Sequence, residues 1–207
     1  MSEPMIVLCD IDNTILNTEQ LIVDEYNRRY NKSITLDDVT CWNYFSDKVD
    51  DDFFEFLTKP KTWDDVQPIE PICELIRTMV AQPDYFTVYL VTATSPLKTG
   101  LREKLTVASE ATGIDKHHII TCNDKHLLMG DIMIDDYTKN IDDTLCNDCW
   151  LVDRPWNKEY TTSDNYSTTA DKLSNNFKDC WFASVYVKET LREHEAKLPK
   201  EIWRLIP

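Results

Sequence analysis

Glycine is almost missing from this chain, with three among 207 residues. That scarcity excludes the glycine-rich phosphate loops, since neither G-x-G-x-x-G nor G-x-x-x-x-G-K-[ST] occurs. Long apolar runs are missing too: none approaches the roughly 20 residues that cross a bilayer. The opening MSEPMIVLC has no basic stretch and no long apolar segment of the kind that marks a secretory leader. The expectation is a cytoplasmic protein with no membrane partner. Positive charge is scarce, with 22 Lys and Arg against 37 Asp and Glu and a net charge of -15. Such a surface repels phosphate backbones, so no extended nucleic-acid binding is expected. A small phosphorylated ligand, held by a few local cations or a metal, stays open. The seven cysteines, at 9, 41, 73, 122, 146, 149 and 180, are odd in number and form no disulfide framework. Cys146 and Cys149 are a lone C-x-x-C, a poor zinc site without a second pair. Reduced, mostly buried thiols are the expectation. The histidines at 117, 118, 126 and 194 show no ligand spacing.

What the chain does have is apolar and aromatic bulk. Its composition is 42% apolar, with six Trp, nine Tyr and seven Phe, enough for one sizeable core with a modest insertion. Three short apolar runs end on acids or hydroxyls: Met5 to Cys9 before Asp10, Phe86 to Val91 before Thr92, and Asp131 to Ile134 before Asp135. Cys149 to Val152, before Asp153, is a fourth. Each reads as a buried parallel strand. Helical patterns over 69–81 and 101–112 lie between them, the second stopping at Gly113. The alternation implies an α/β fold, a three-layer Rossmann-like parallel sheet core. Residues 17–68 read as a small helical cap inserted after the first strand, leaving 1–16 and 69–207 as the core. The cap opens with a helix over 17–31 that Thr18 could cap. The polar stretch 157–176 reads as a surface loop and 177–196 as a C-terminal helix.

In open α/β sheets, function gathers at the carboxyl ends of the strands. Asp10, Thr92 and Asp135 reach that address independently. Asp10 and Asp12, facing Asp135 and Asp136, would repel badly unless neutralised, and Mg²⁺ with oxygen ligands does so. One aspartate can then attack phosphorus while a second handles protons. Asp10 would form an aspartyl-phosphate, and Asp12 would protonate the leaving oxygen and then activate water. Thr92 would donate to a phosphoryl oxygen and Lys125 would balance charge. Taken singly, each of these residues could be a turn cap, strand filler or a solvated lysine. As an ordered set they could not be so easily dismissed.

The motifs DIDNT at 10–14, VTATS at 91–95, Lys125 and IDD at 134–136 resemble the four motifs of the haloacid dehalogenase-like phosphatases. TSPLK at 94–98, DKHLLMGDIMIDD at 124–136 and RPWN at 154–157 resemble the 5'(3')-deoxyribonucleotidase branch. The resemblance implies Asp10 as nucleophile and Asp12 as general acid/base, with the Asp12 backbone carbonyl also on Mg²⁺. It implies that Asp135 or Asp136 binds the ion directly. An acid at position 12 favours phosphate hydrolysis, because dehalogenase members lack it. Strand register favours Thr92 as the phosphate donor, and register with Ser95-Pro96 favours Thr94. Ser95 and Lys98 join them as candidate substrate contacts.

The cap's aromatics, Trp42, Tyr44, Phe45, Phe53, Phe54 and Trp63, suggest a wall for a nucleobase. Trp42 and Tyr44, in a polar loop, are the better ligand contacts, whereas Phe53, Phe54 and Phe56 read as the cap's own core. The function these features imply is Mg²⁺-dependent hydrolysis of (deoxy)nucleoside monophosphates. The alternatives are a related phosphatase acting on another small phosphomonoester or on nucleic-acid 3'-phosphate ends, and a non-catalytic acidic interaction protein. The sequence leaves a homodimer open.

Overall fold

The computed structural model describes residues 3–94, 100–161 and 182–184. A six-stranded sheet organises them, built from β1 (Met5–Asp10), β2 (Phe86–Thr92), β3 (Ile119–Thr121), β4 (Ile132–Asp135), β5 (Asp148–Val152) and β6 (Phe182–Ser184). Its order is β3-β2-β1-β4-β5-β6. The first five strands run parallel, and β6 closes the β5 edge antiparallel. Five parallel strands with crossover helices are the expected α/β, Rossmann-like architecture. From β1 the chain winds outward through β2 and β3, then returns to place β4 on the other side of β1. The crevice beyond the carboxyl ends of β1 and β4 is therefore the topological switch point, where open α/β sheets bind ligands.

Period-2 alternation divides the strand residues between two cores. Val7 and Cys9 face a large cluster with α2 (Glu70–Val80) and α3 (Leu101–Thr112), and Leu8 and Met133 face a smaller one with Ile141 of α4 (Thr138–Asp142). Helix α2 has Pro71 in its first turn, a favoured place for it, and buries Ile72, Cys73, Leu75, Ile76 and Met79. Helix α3 stops at Gly113, whose φ of +73° is the left-handed cap that glycine adopts without strain.

Between β1 and α2 lies an insert with one α-helix, α1 (Thr18–Tyr30), and three short 3-10 turns at Leu36–Asp38, Phe53–Thr58 and Pro60–Asp64. Its two legs are tied at the root: Asn17 N donates to Gln67 O at 2.9 Å and Ile69 N to Ile15 O at 2.7 Å. The insert meets the start of α3 at Gly100, where a Cβ would fall 2.2 Å from Leu57 O and 2.6 Å from Trp63 Nε1. Only a residue without a side chain fits that contact.

Two expectations need correcting. Thr18 does not cap α1; Asn17 holds that position without a side-chain cap bond, and Thr18 is the first helical residue. Its hydroxyl is drawn instead to Asp12. Phe182–Ser184 is a strand rather than part of a C-terminal helix, because the edge of β5 supplies a ladder for it. The rest of that helix expectation lies outside the described residues. In the expected polar loop, Lys158–Thr161 forms a short helix, α5, and the remainder is likewise outside them. Among the described residues, no helix is long and apolar enough to cross a membrane.

Candidate active site

Asp10 ends β1, Asp135 ends β4 and Asp136 follows it, so parallel pairing of the two strands brings all three carboxylates to one crevice. One oxygen from each lies within 4.8 Å of the others, and all three residues are buried. Lys125, in a 3-10 turn and only 6% exposed, bridges two of them: its ammonium bonds to Asp10 Oδ1 and, at 2.8 Å, to Asp135 Oδ2. Asp135 is tied further by Tyr137 N at 2.8 Å and Asn140 Nδ2 at 3.0 Å. Asp136 accepts the Trp156 indole N–H on Oδ2 at 2.9 Å, while its Oδ1 is enclosed without a hydrogen-bond partner.

Burial pushes the Asp10 carboxyl up to about 7, against the pull of Lys125 and with Asp135 and Asp12 adding repulsion. Burial also drives Asp136 well above the carboxylate range, with help from Asp135 and Asp10. For Lys125, burial works against the charge, but Asp10 and Asp135 outweigh it and hold its pKa above the usual lysine value. One lysine therefore cannot neutralise three carboxylates. An orphaned buried oxygen and a hard, all-oxygen donor set fit a small divalent cation, whose charge would reverse these shifts.

Asp12 sits one step out of the crevice and is held differently. Thr18 Oγ1 donates to its Oδ1 at 2.8 Å. Its Oδ2 accepts from Lys104 Nζ and, at 3.2 Å, from Thr92 Oγ1, and Lys104 also donates to Thr92 Oγ1 at 2.8 Å. Burial would raise the Asp12 pKa, but the Lys104 ammonium and the Thr18 hydroxyl outweigh it and keep the group below its ordinary value. Just after Asp12 the backbone turns through Asn13, at φ 59°. Arg154 Nε and Nη2 clamp the Asn13 carbonyl at 2.7 and 2.6 Å.

Over Asp12 and Lys104 opens a cavity of about 390 Å³ between core and insert, walled by Trp42, Phe45, Phe54, Trp63 and Trp156. That size falls in the range of about 300–1,000 Å³ for small-molecule sites. Glu19 also lines it, its carboxyl pushed up by burial to about 7. Trp42, 47% exposed, stacks on Tyr137 with ring centroids 3.9 Å apart.

Asp10, Asp12, Thr92, Lys125, Asp135 and Asp136 thus come together. Thr94 is exposed beyond β2 and donates to Asn123 Oδ1 at 3.0 Å. Ser95 and Lys98 lie outside the described residues. Trp42 lines the cavity, whereas Tyr44 packs against Phe45 under Lys48 and does not. Phe53 is buried inside the insert as expected, but Phe54 is exposed onto the cavity, because the 3-10 turn carrying both points them to different sides. Sequence reasoning did not place Lys104, Thr18 or Trp156 in the site. Lys104 had a signal: it shares a stripe with Ala108 and Thr112, the buried side of α3, where a lysine is out of place.

The family model of "5' nucleotidase, deoxy (Pyrimidine), cytosolic type C protein" matches residues 4–173. The chain belongs to this family and, with it, to the haloacid dehalogenase-like superfamily; it is a phosphatase. No curated protein matches it. Similar solved structures include a haloacid dehalogenase-like hydrolase from Burkholderia xenovorans LB400, 12% identical, with a TM-score of 0.44, covering 69% of this chain and 76% of that one. A HAD family hydrolase from Deinococcus radiodurans R1, with bound phosphate and sodium, is 16% identical, with a TM-score of 0.34, covering 66% and 74%. A third, from Xanthomonas campestris, is 13% identical, with a TM-score of 0.35, covering 65% and 75%.

Proposed function

We propose that this phosphatase hydrolyses (deoxy)nucleoside monophosphates, with Mg²⁺ held at Asp10, Asp136 and the Asp12 backbone carbonyl. The observation that carries the reading is the buried Asp10–Asp135–Asp136 trio opening beside an aromatic cavity large enough for a nucleoside. The ion, when bound, neutralises charge on the transferring phosphoryl group. Asp136 is the direct ligand of its pair, because its Oδ1 is unengaged while both Asp135 oxygens have hydrogen-bond donors.

Asp10 attacks phosphorus and becomes the aspartyl-phosphate. Lys125 orients it through Oδ1 and offsets the charge of Asp135. Asp12, held ionised by Lys104, takes the proton of a substrate bound as its phosphate monoanion, passes it to the departing nucleoside oxygen, then takes one from the water that cleaves the acyl-phosphate. Thr92 is engaged with Asp12 and Lys104, so the reading gives it a role in holding the acid; the hydroxyls of Thr92 and Thr94, the second now on Asn123, are the two phosphate donors it keeps, with Ser95 and Lys98 following in sequence. The base lies against Trp42. Residues 17–68 act as a cap, and a cytoplasmic location agrees with the description of the family as cytosolic.

Phosphate release from a panel of nucleoside monophosphates, with Mg²⁺ and with chelator, tests the reading. Turnover that needs the ion and prefers nucleotides over simple phosphomonoesters is expected. Chelator-resistant turnover, or none with any nucleotide, would overturn it.

A further inference from the structure

The turn after β5 contains no residue given a chemical step above, yet it touches both halves of the site. Arg154 holds the carbonyl of Asn13, the residue after Asp12, with two donors. Asn157 Nδ2 donates to Asp136 O at 2.9 Å and to Val152 O at 2.8 Å, and its Oδ1 accepts from Arg154 N at 2.9 Å. Asn157 is 3% exposed, so this bracket is built into the core. On it stands Trp156, whose indole N–H reaches Asp136 Oδ2 at 2.9 Å.

We propose that Trp156 is a positioning residue for the metal-binding carboxylate. This rests on the reading of the trio as a Mg²⁺ site. A free carboxylate can rotate and present either oxygen. With Oδ2 held by the indole, the Asp136 carboxylate is fixed in one orientation, and Oδ1, buried and without a hydrogen-bond partner, is its unengaged oxygen. Mg²⁺ demands near-ideal octahedral geometry, so a ligand locked in advance binds more tightly than one ordered on binding. A tryptophan suits the task because it donates one hydrogen bond and accepts none, and so cannot compete for the cation.

Its ring does a second job. Trp156 lines the cavity above Asp12 and meets the Trp42 ring edge-on, with centroids 6.4 Å apart. The group that aims the metal ligand therefore also backs Trp42, the ring against which the base lies.

Calorimetric titration of the full-length protein with Mn²⁺, a spectroscopically useful substitute for Mg²⁺, tests this without relying on turnover. Trp156→Phe removes the donor but also alters the wall. A second variant, with benzothienylalanine incorporated at 156, keeps the ring's shape and replaces only the N–H by sulfur. The expected result is about a 10- to 100-fold weaker ion in both variants, the size typical of a lost partner behind a metal ligand. Both should retain the wild-type melting temperature in chelator. Wild-type binding with equal affinity in the sulfur variant overturns the inference and leaves the proposed function standing. No saturable binding by the wild type overturns the metal reading itself, and the inference with it.

Discussion

The carboxyl ends of β1 and β4 and the insert that faces them place opposite chemistries across one opening. At the strand ends, charges are crowded into a buried crevice and most of the carboxylate oxygens have hydrogen-bond donors. Asp135 alone has three donors, and Lys125 is 6% exposed between two acids. The insert offers mainly rings, with Glu19 beside them, on turns and short 3-10 segments, with Trp42 half in solvent. A parallel ladder fixes the register of the strands that carry the first region, as positioned chemistry needs. The second is shaped by packing and can accept a flat ligand without a fixed pattern of hydrogen bonds. One region is built to react and the other to recognise, and substitutions in each should fail differently.

The largest separation comes from Asp10→Asn. Turnover should fall by roughly 10⁴-fold or more, as loss of a nucleophile does. The thermal midpoint should hold, because one charge leaves an overcrowded site. A midpoint well below wild type would mean that the crowding is structural. Lys104→Met comes next. It loosens Asp12, and nucleotide turnover should drop on the order of 10²-fold, the lower end of general-acid effects. 4-Nitrophenyl phosphate, whose leaving group needs no proton, should lose much less; equal losses would sever Lys104 from the acid step. In the insert, Trp42→Ala should raise KM by about 5- to 150-fold, the equivalent of one base stack, with far less change in kcat. A fall confined to kcat would move Trp42 from recognition to chemistry.

The smallest effect is on stability against pH in chelator. Asp10 and Glu19, raised to about 7, and Asp136, raised too, bind protons in the folded chain that the unfolded chain has already released above ordinary carboxylate values. Stability should therefore fall as pH rises from about 5 to 8. Asp12, shifted down, acts only below that window, and Lys125, shifted up, only above it. Excess Mg²⁺ should flatten the slope by favouring ionised Asp10 and Asp136. A melting temperature that climbs with pH in chelator would contradict this electrostatic picture.

The same contrast explains what could be read in advance. β1, β2 and β4 are largely apolar runs that end on site residues, so strand and site are legible together, and β5 was legible as a strand by its apolar run alone. β3 and β6 have three residues each and take their form from neighbouring edges, which no local pattern records. In the insert, composition announced aromatics but not their directions. Trp42 reaches the cavity while Tyr44, two residues on, does not, and Phe54 reaches it while Phe53 is sealed inside. A 3-10 turn carries too little periodicity to tell such neighbours apart. Lys104 is out of place on the buried stripe of α3, but its partner could not be read from the pattern, because Asp12 is 92 residues away.

The most direct test of the central claim, that the strand-end carboxylates work through a phosphoryl group on Asp10, is a crystal soaked with Mg²⁺ and beryllofluoride, a mimic of the aspartyl-phosphate. Tetrahedral density joined to the Asp10 carboxylate, with an ion against Asp136 Oδ1, is the expected result. Density on another carboxylate, or an occupied ion site with Asp10 bare, would contradict the account.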